Sequence, residues 1–296
     1  MAVEHVVHEQ PVVQPKRRRF TGVRRAPLLP LSIIVVIVLT ALLANILTPY
    51  SATDISLSER LKPPFWEQGG SMRHVLGTDP MGRDLLTRML YGARVSLLVG
   101  ILALFVGGGL GATLGMIAGY VGGRVDGFLM RVADTTLAFP IILLAILLVV
   151  ILGGSLITVV IAVALVLWAR YARVIRGEVL SLRERDFVAQ ARIAGCSSGR
   201  IILVHIFPNV LNTLVVLLSL QVGWVIIVEA SLSFLGAGVP PPTPTWGSMI
   251  AEGRDYIASA WWLSFFPGLA ILVTVLAFNR FGDWLRDALD PTMRQL

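Results

Sequence analysis

The chain has one cysteine and four histidines among 296 residues, and charged side chains make up only 15% of it. A lone Cys196 excludes an internal disulfide framework and cannot build a metal site alone; it reads as a small, at least half-buried thiol. His5 and His8 have no further ligands near them and read as part of a solvated tail rather than a zinc site. No Gly-x-x-x-x-Gly-Lys-Ser/Thr run is present, so the chain brings no phosphate loop of its own. No convincing internal repeat is present, which argues against a stand-alone ion-coupled transporter. An intramembrane hydrolase needs a pair of catalytic groups at bilayer depth, and Gln221 and Glu229 have no acid, base or nucleophile partner in the sequence.

Apolar residues fill the space these leave. They are 55% of the chain, and the mean hydropathy of +0.78 lies outside the range of a soluble domain of this length, so the class is a multi-pass membrane protein. The net charge of +7 does not point to nucleic acid. Its Lys and Arg flank apolar runs, which is the signature of membrane topology.

Residues 1–27 lack periodicity, carry Lys16, Arg17, Arg18, Arg19, Arg24 and Arg25, and read as a disordered basic tail. Residues 28–47 are uncharged and long enough to cross about 30 Å of hydrocarbon, so they are the first span. Residues 48–94 form a long polar loop, in which Asp79 and Asp84 read as loop-ordering and helix-capping groups rather than calcium ligands. A core of five further spans is expected over 95–282, with a tail at 283–296. Gly107, Gly108, Gly109, Gly111 and Gly115 predict close helix approach in the second span. Pro140 predicts a kink in the third. Arg170, Arg173 and Arg176 continue the fourth beyond the hydrocarbon on one helical face. The fold class expected is therefore all-α, with six transmembrane helices. Of the 25 Lys and Arg, 18 fall on the side of the two ends and the 170–209 stretch, which the positive-inside rule places in the cytoplasm. Trp246, Trp261 and Trp262 are expected to anchor the opposite interface.

The polar stretch 183–209 interrupts this pattern. Residues 185–194 fit a helix with Phe187, Ala191 and Ala194 on one stripe. Gly195 ends it in a left-handed turn, Ser197 or Ser198 caps a second short helix, and Pro208 sets the boundary before the fifth span. Such a helix–turn–helix knuckle cannot bury its own apolar edge, so it is suited to a groove on a partner.

These residues carry a resemblance. Ala189-Gln190-Ala191, Gly195 and His205-Ile206-Phe207-Pro208 resemble the EAA loop of permease subunits of bacterial ABC importers. Several runs are similar to the dipeptide, oligopeptide and nickel branch: Leu76-Gly77-Thr78-Asp79 with Gly82-Arg83-Asp84, Glu229-Ala230-Ser231-Leu232-Ser233-Phe234-Leu235-Gly236, and Pro242-Thr243-Pro244-Thr245-Trp246-Gly247. The pattern departs at the motif's glutamate, here Ala189, and at Gln190, His205 and Phe207. Gly195 and Pro208 are retained.

The resemblance implies a non-catalytic cell-membrane subunit that forms half of a translocation pathway for di- or oligopeptides, with nickel or another small solute as the alternative cargo. Implied partners are a homologous second permease, two ATPase subunits that hold ATP and Mg, an extracytoplasmic substrate-binding protein and membrane lipid, with no nucleic acid. This chain would bind no cofactor and no metal. ATPase docking is expected from Asp186, Phe187, Ala189, Gln190, Ala191, Arg192, Gly195, Ser197, Arg200, Ile201, His205 and Pro208. Gln221 and Glu229 are candidates for the pathway or a gate. Thr78, Asp79, Arg83, Asp84 and Trp246 are candidates for contact with the binding protein.

Overall fold

The computed structural model describes residues 26–289. The basic tail, His5, His8 and residues 290–296 lie outside the described residues. The fold is all-helical, and the only β-type pairing among the described residues is one isolated bridge between Thr78 and Asp84.

Helix α1 spans Leu28–Leu42 and is followed by a short turn of helix, α2, over Ala44–Leu47. At 15 residues α1 is shorter than the span expected from composition. Its last carbonyls are not orphaned, because Arg94 donates to the oxygens of Ala41 and Leu42 at 3.0 and 3.1 Å. The longest α-helix, α3, covers Leu85–Val121. Its start is fixed by Asp84, whose Oδ2 accepts from the Thr87 amide and hydroxyl at 2.8 and 2.7 Å. It therefore begins about three turns earlier than the apolar run beginning at Val95 suggests.

Along α3 the glycines repeat every fourth residue and face α6, which spans Leu156–Arg183. A Cβ added at Gly111 would lie 2.3 Å from the Trp168 carbonyl oxygen, and one at Gly115 would lie 2.5 Å from that of Ala172. Only glycine admits this backbone approach, which forms the main seam of the bundle.

The third apolar segment departs from expectation. Pro140 does not kink one span but divides it into α4 (Gly123–Ala138) and α5 (Ile141–Leu152), bent by 98°. The cause is local: proline crowds the residue before it out of the helical region, and Phe139 is extended at φ −79°, ψ 142°. Four helices are long and apolar enough to cross a membrane, or five if the bent pair counts as one.

Helix α7 covers Asp186–Ile193, and α8 covers Ser198–Arg200. A π-helical turn at Ile201–Ile206 then leads directly into α9, Phe207–Phe234. The expected boundary at Pro208 is absent, and Ser198–Phe234 runs on as one helix of 37 residues. The widened turn, closed by the Phe207 amide on the Ile202 carbonyl, accommodates a proline that has no N–H to give. Helices α10 (Trp246–Gly253) and α11 (Trp262–Leu289) complete the chain.

The up-and-down order gathers two ends. One end carries residues 43–84 and 235–261. The other carries the 184–206 knuckle, the α3–α4 turn and the C-terminal turn of α11.

Candidate functional site

The knuckle is built from short-range signals. Arg185 leads into α7 with extended backbone, and Gly195 closes it at φ +77°, a conformation that side chains with a Cβ seldom adopt. Ser197 caps α8, its Oγ accepting from the Arg200 amide at 3.4 Å. Two links tie the knuckle to the bundle. Arg192 lies over the Tyr120 ring at 5.3 Å, and Arg183 donates to the Gly119 carbonyl at 3.2 Å.

The faces of α7 differ from the expected stripe. Val188 and Ala191 turn inward against Ile201 and Ile206, all four buried in the main core, while Phe187 and Ala194 lie exposed. Ala191 and Ile201 thus hold the knuckle in place rather than present it. Asp186, Ala189, Gln190, Arg192, Gly195, Ser197, Arg200 and Pro208 are exposed, and His205 is half-buried. The outward apolar surface contains Phe187, Ile193, which is 87% exposed, and Leu203 and Val204. Of the last three, Ile193 falls off the Phe187, Ala191 and Ala194 stripe, and Leu203 and Val204 lie on a π-turn that a periodic reading of the sequence does not anticipate.

The opposite end holds a buried polar network. Thr78, Asp79, Arg83, Asp84 and Trp246 are each no more than 7% exposed, so they offer no surface to a binding protein. Asp79 Oδ2 accepts from Arg83 Nε and Arg88 Nη1, both at 2.5 Å, and the same two arginines bind Glu252 of α10 at 2.8 and 2.6 Å. His74 Nδ1 sits 2.9 Å from Asp84 Oδ1, and Thr78 Oγ1 donates to the Glu59 carbonyl at 2.5 Å. Trp246 and Trp262 are likewise buried, donating from Nε1 to the carbonyls of Met89 and Thr78. They lock loop to bundle, and of the three tryptophans expected at this interface Trp261, which donates to Glu67, is the one that stands outward. Arg88 and Glu252 were not anticipated, since their pairing joins residues 164 apart.

At the surface of this end Lys62 pairs with Glu59 and holds its carboxyl below the ordinary value.

Between the two ends lies Glu229 on α9. It is fully buried; its Oε1 accepts from Ser233 Oγ at 2.8 Å, and its Oε2 has no partner among the described residues. Gln221 is half-buried two turns away. Arg170, Arg173 and Arg176 fan out from α6: Arg170 stacks on Trp224, Arg173 pairs with Asp134, and Arg176 forms a fork with Asp126 at 2.5 and 2.6 Å. The fork fixes α4 against α6.

Residues 111–295 match the family described as binding-protein-dependent transport system inner membrane component. The chain is 47% identical over 262 residues to the dipeptide transport system permease protein DppC of Escherichia coli (strain K12), covering 88% of this chain and 87% of that one. It is 44% identical over 288 residues to a putative peptide transport system permease protein of Brucella suis biovar 1, covering 97% and 94%. It is also 44% identical over 258 residues to a di/tripeptide transport system permease protein of Pseudomonas aeruginosa, covering 87% and 85%.

Proposed function

The chain belongs to the family of binding-protein-dependent transport system inner membrane components, and from that premise we propose that its cargo is di- or oligopeptides. The relatives carry peptide transport in their names, and the similarity extends over nearly the whole chain. In this reading six membrane-embedded segments place both ends and the knuckle in the cytoplasm. The partners are a homologous second permease, two ATPase subunits that carry ATP and Mg, and an extracytoplasmic binding protein. This chain performs no chemistry of its own.

The observation that carries the mechanism is the knuckle: an exposed apolar surface joined without a break to α9. Closure of the ATPases displaces the docked knuckle. Because Ser198–Phe234 is continuous, that displacement travels along α9 toward Glu229 and the cap. The pathway alternates between inward-facing and outward-facing states through this rigid lever.

Co-purification tests the assembly, and uptake by proteoliposomes tests the cargo. A tagged chain is expected to retain its ATPase subunits and to support ATP-dependent uptake of a labelled dipeptide in the presence of its binding protein. A chain that transports alone overturns the assembly, and an assembled complex that takes up nickel but no peptide overturns the cargo.

A further inference from the structure

Helix α4 sorts its charges by face. Both of its acids turn to α6, where Asp126 meets Arg176 and Asp134 meets Arg173. Both of its arginines, Arg124 and Arg131, are exposed two helical turns apart on another face, and neither has a partner among the described residues. Phe128 stands between them at 67% exposure, and beside it a groove of about 390 Å³ runs past Val132 to Phe139 and Leu144. The hydroxyls of Thr135 and Thr136 in its wall donate back to the carbonyls of Arg131 and Val132, so the wall is apolar in effect. The ion pairs also set the depth of α4. Asp126 and Asp134 are about 12 Å apart along their helix, but the arginines they meet are only about 4.5 Å apart along α6. Together with the 98° bend at Pro140, this holds α4 across the bundle rather than along it. The turn of α6 that holds it lies just past the apolar run ending at Ala169, where hydrocarbon gives way to headgroups.

We propose that this face of α4 is a seat for an anionic phospholipid, with the headgroup phosphate on Arg131 and Arg124 and one acyl chain in the groove. The proposal goes beyond the transport reading and requires only that the chain sits in a bilayer. Three features favour this occupant. A guanidinium fork matches phosphate oxygens in two hydrogen bonds, and here two such forks are left free on a helix whose acids are already used. A helix that lies in the interface plane, with arginines and an aromatic ring on its outer face, has the composition that binds anionic lipid surfaces. The groove is also continuous with apolar surface of membrane depth, because α5 carries it on as the exposed stripe Leu143, Leu147 and Val150. A protein partner would have to bring acids to both arginines and an apolar filler to the groove. A phospholipid supplies phosphate and chain in one molecule.

The test uses the assembled importer in phosphatidylcholine vesicles, in a Cys196→Ser background with a fluorophore on Thr135→Cys in the groove wall. A spin label on a lipid's acyl chain quenches the fluorophore when that chain occupies the groove, and labelled phosphatidylglycerol is compared with labelled phosphatidylcholine. Phosphatidylglycerol is expected to quench at a mole fraction roughly 25-fold lower, about fivefold from each arginine. Arg124→Gln and Arg131→Gln should each remove one such factor, and the double variant should treat the two lipids alike. Arg131→Lys keeps the charge and should keep the preference. Quenching by phosphatidylcholine at the parental level shows that the groove is still formed in each variant. Equal quenching by the two lipids in the parent, or a preference that survives in the double variant, overturns the seat. So does a fluorophore that neither lipid quenches, which places a protein partner on this face. Uptake is not the readout, so failure here leaves the transport reading standing.

Discussion

The two ends of the bundle treat their polar and apolar groups in opposite ways. At the cap, Asp79, Arg83, Arg88 and Glu252 pair with one another, with Arg88 Nε left without a partner among the described residues, and two tryptophans donate into the interior, while Leu57, Trp66 and Met72 stand exposed around them. At the knuckle, the charged residues Asp186 and Arg200 face water and the apolar residues Phe187, Ile193, Leu203 and Val204 are uncovered. A buried ion network is costly to break and contributes rigidity, whereas an uncovered apolar edge contributes nothing until a partner covers it. The cap therefore reads as the fixed end of the lever and the knuckle as its driven end.

The sharpest break of this contrast comes at Arg88. Its Nη1 serves both Asp79 and Glu252, so Arg88→Leu removes one of the two cations these acids share and leaves the buried Asp79 with Arg83 alone. The expected loss is about 3–5 kcal/mol, enough to abolish recovery of folded protein in detergent. Glu252→Gln should cost far less, because that side chain is 35% exposed and water substitutes for the lost charge. Similar melting of the two variants would show that the cap is not the rigid end.

Gly195→Val tests the driven end. No atom lies within 4 Å of a Cβ added there, so the cost is conformational and not steric crowding by neighbours. A β-branched residue at φ +77° carries about 1–2 kcal/mol of strain, confined to the turn. ATP-driven uptake is expected to fall severely while the melting temperature of the purified chain moves by only a few degrees. Wild-type uptake with assembled ATPases would refute the role of the turn.

Ile193→Asp probes the surface rather than the shape. At 87% exposure the change should leave the isolated chain as stable as before. If the site is part of the ATPase contact, replacing an apolar anchor weakens co-purification about tenfold or more. Unchanged retention of the ATPases would place the contact elsewhere on the knuckle.

The sequence disclosed these two regions unevenly, for physical reasons. The knuckle was legible because each of its signals is local: Gly195, Ser197 and the amphipathic turn act within a few residues. Its facing and its exit differ: the π-turn at Ile201–Ile206 carries the helix through Pro208, where a boundary is expected. Phe187, Ala191 and Ala194 share a helical stripe, but Val188 and Ala191 are the pair that the core accepts. The glycine seam of α3 was legible in part, since Gly107, Gly111 and Gly115 meet α6 while no atom lies within 4 Å of a Cβ added at Gly109. The cap was not, because the Arg88–Glu252 pairing joins residues 164 apart and no periodicity announces it. The break at Pro140 lay between these cases. A proline in an apolar run signals distortion, but whether the helix bends or ends depends on the extended conformation of Phe139, which the pattern does not carry.

The smallest effect separates buried from exposed charge within the cap itself. Lys62 holds the Glu59 carboxyl below its ordinary value, chiefly through their hydrogen bond. A depressed carboxylate contributes stability that is present above its unfolded pKa, about 4.3, and is lost as the pH falls through the lower folded value. Lys62→Met removes that contribution. Both side chains of this pair reach solvent, Lys62 at 35% and Glu59 at 27% exposure, so screening should leave the melting temperature at pH 7 unchanged within error and only slightly alter its fall below pH 4. The measurement is a pair of melting curves against pH. If Lys62→Met destabilised the chain at pH 7 as much as Arg88→Leu does, depth of burial would not distinguish the two ion pairs. The contrast between a satisfied interior network and a solvated surface would then have to be drawn at a different place in the cap.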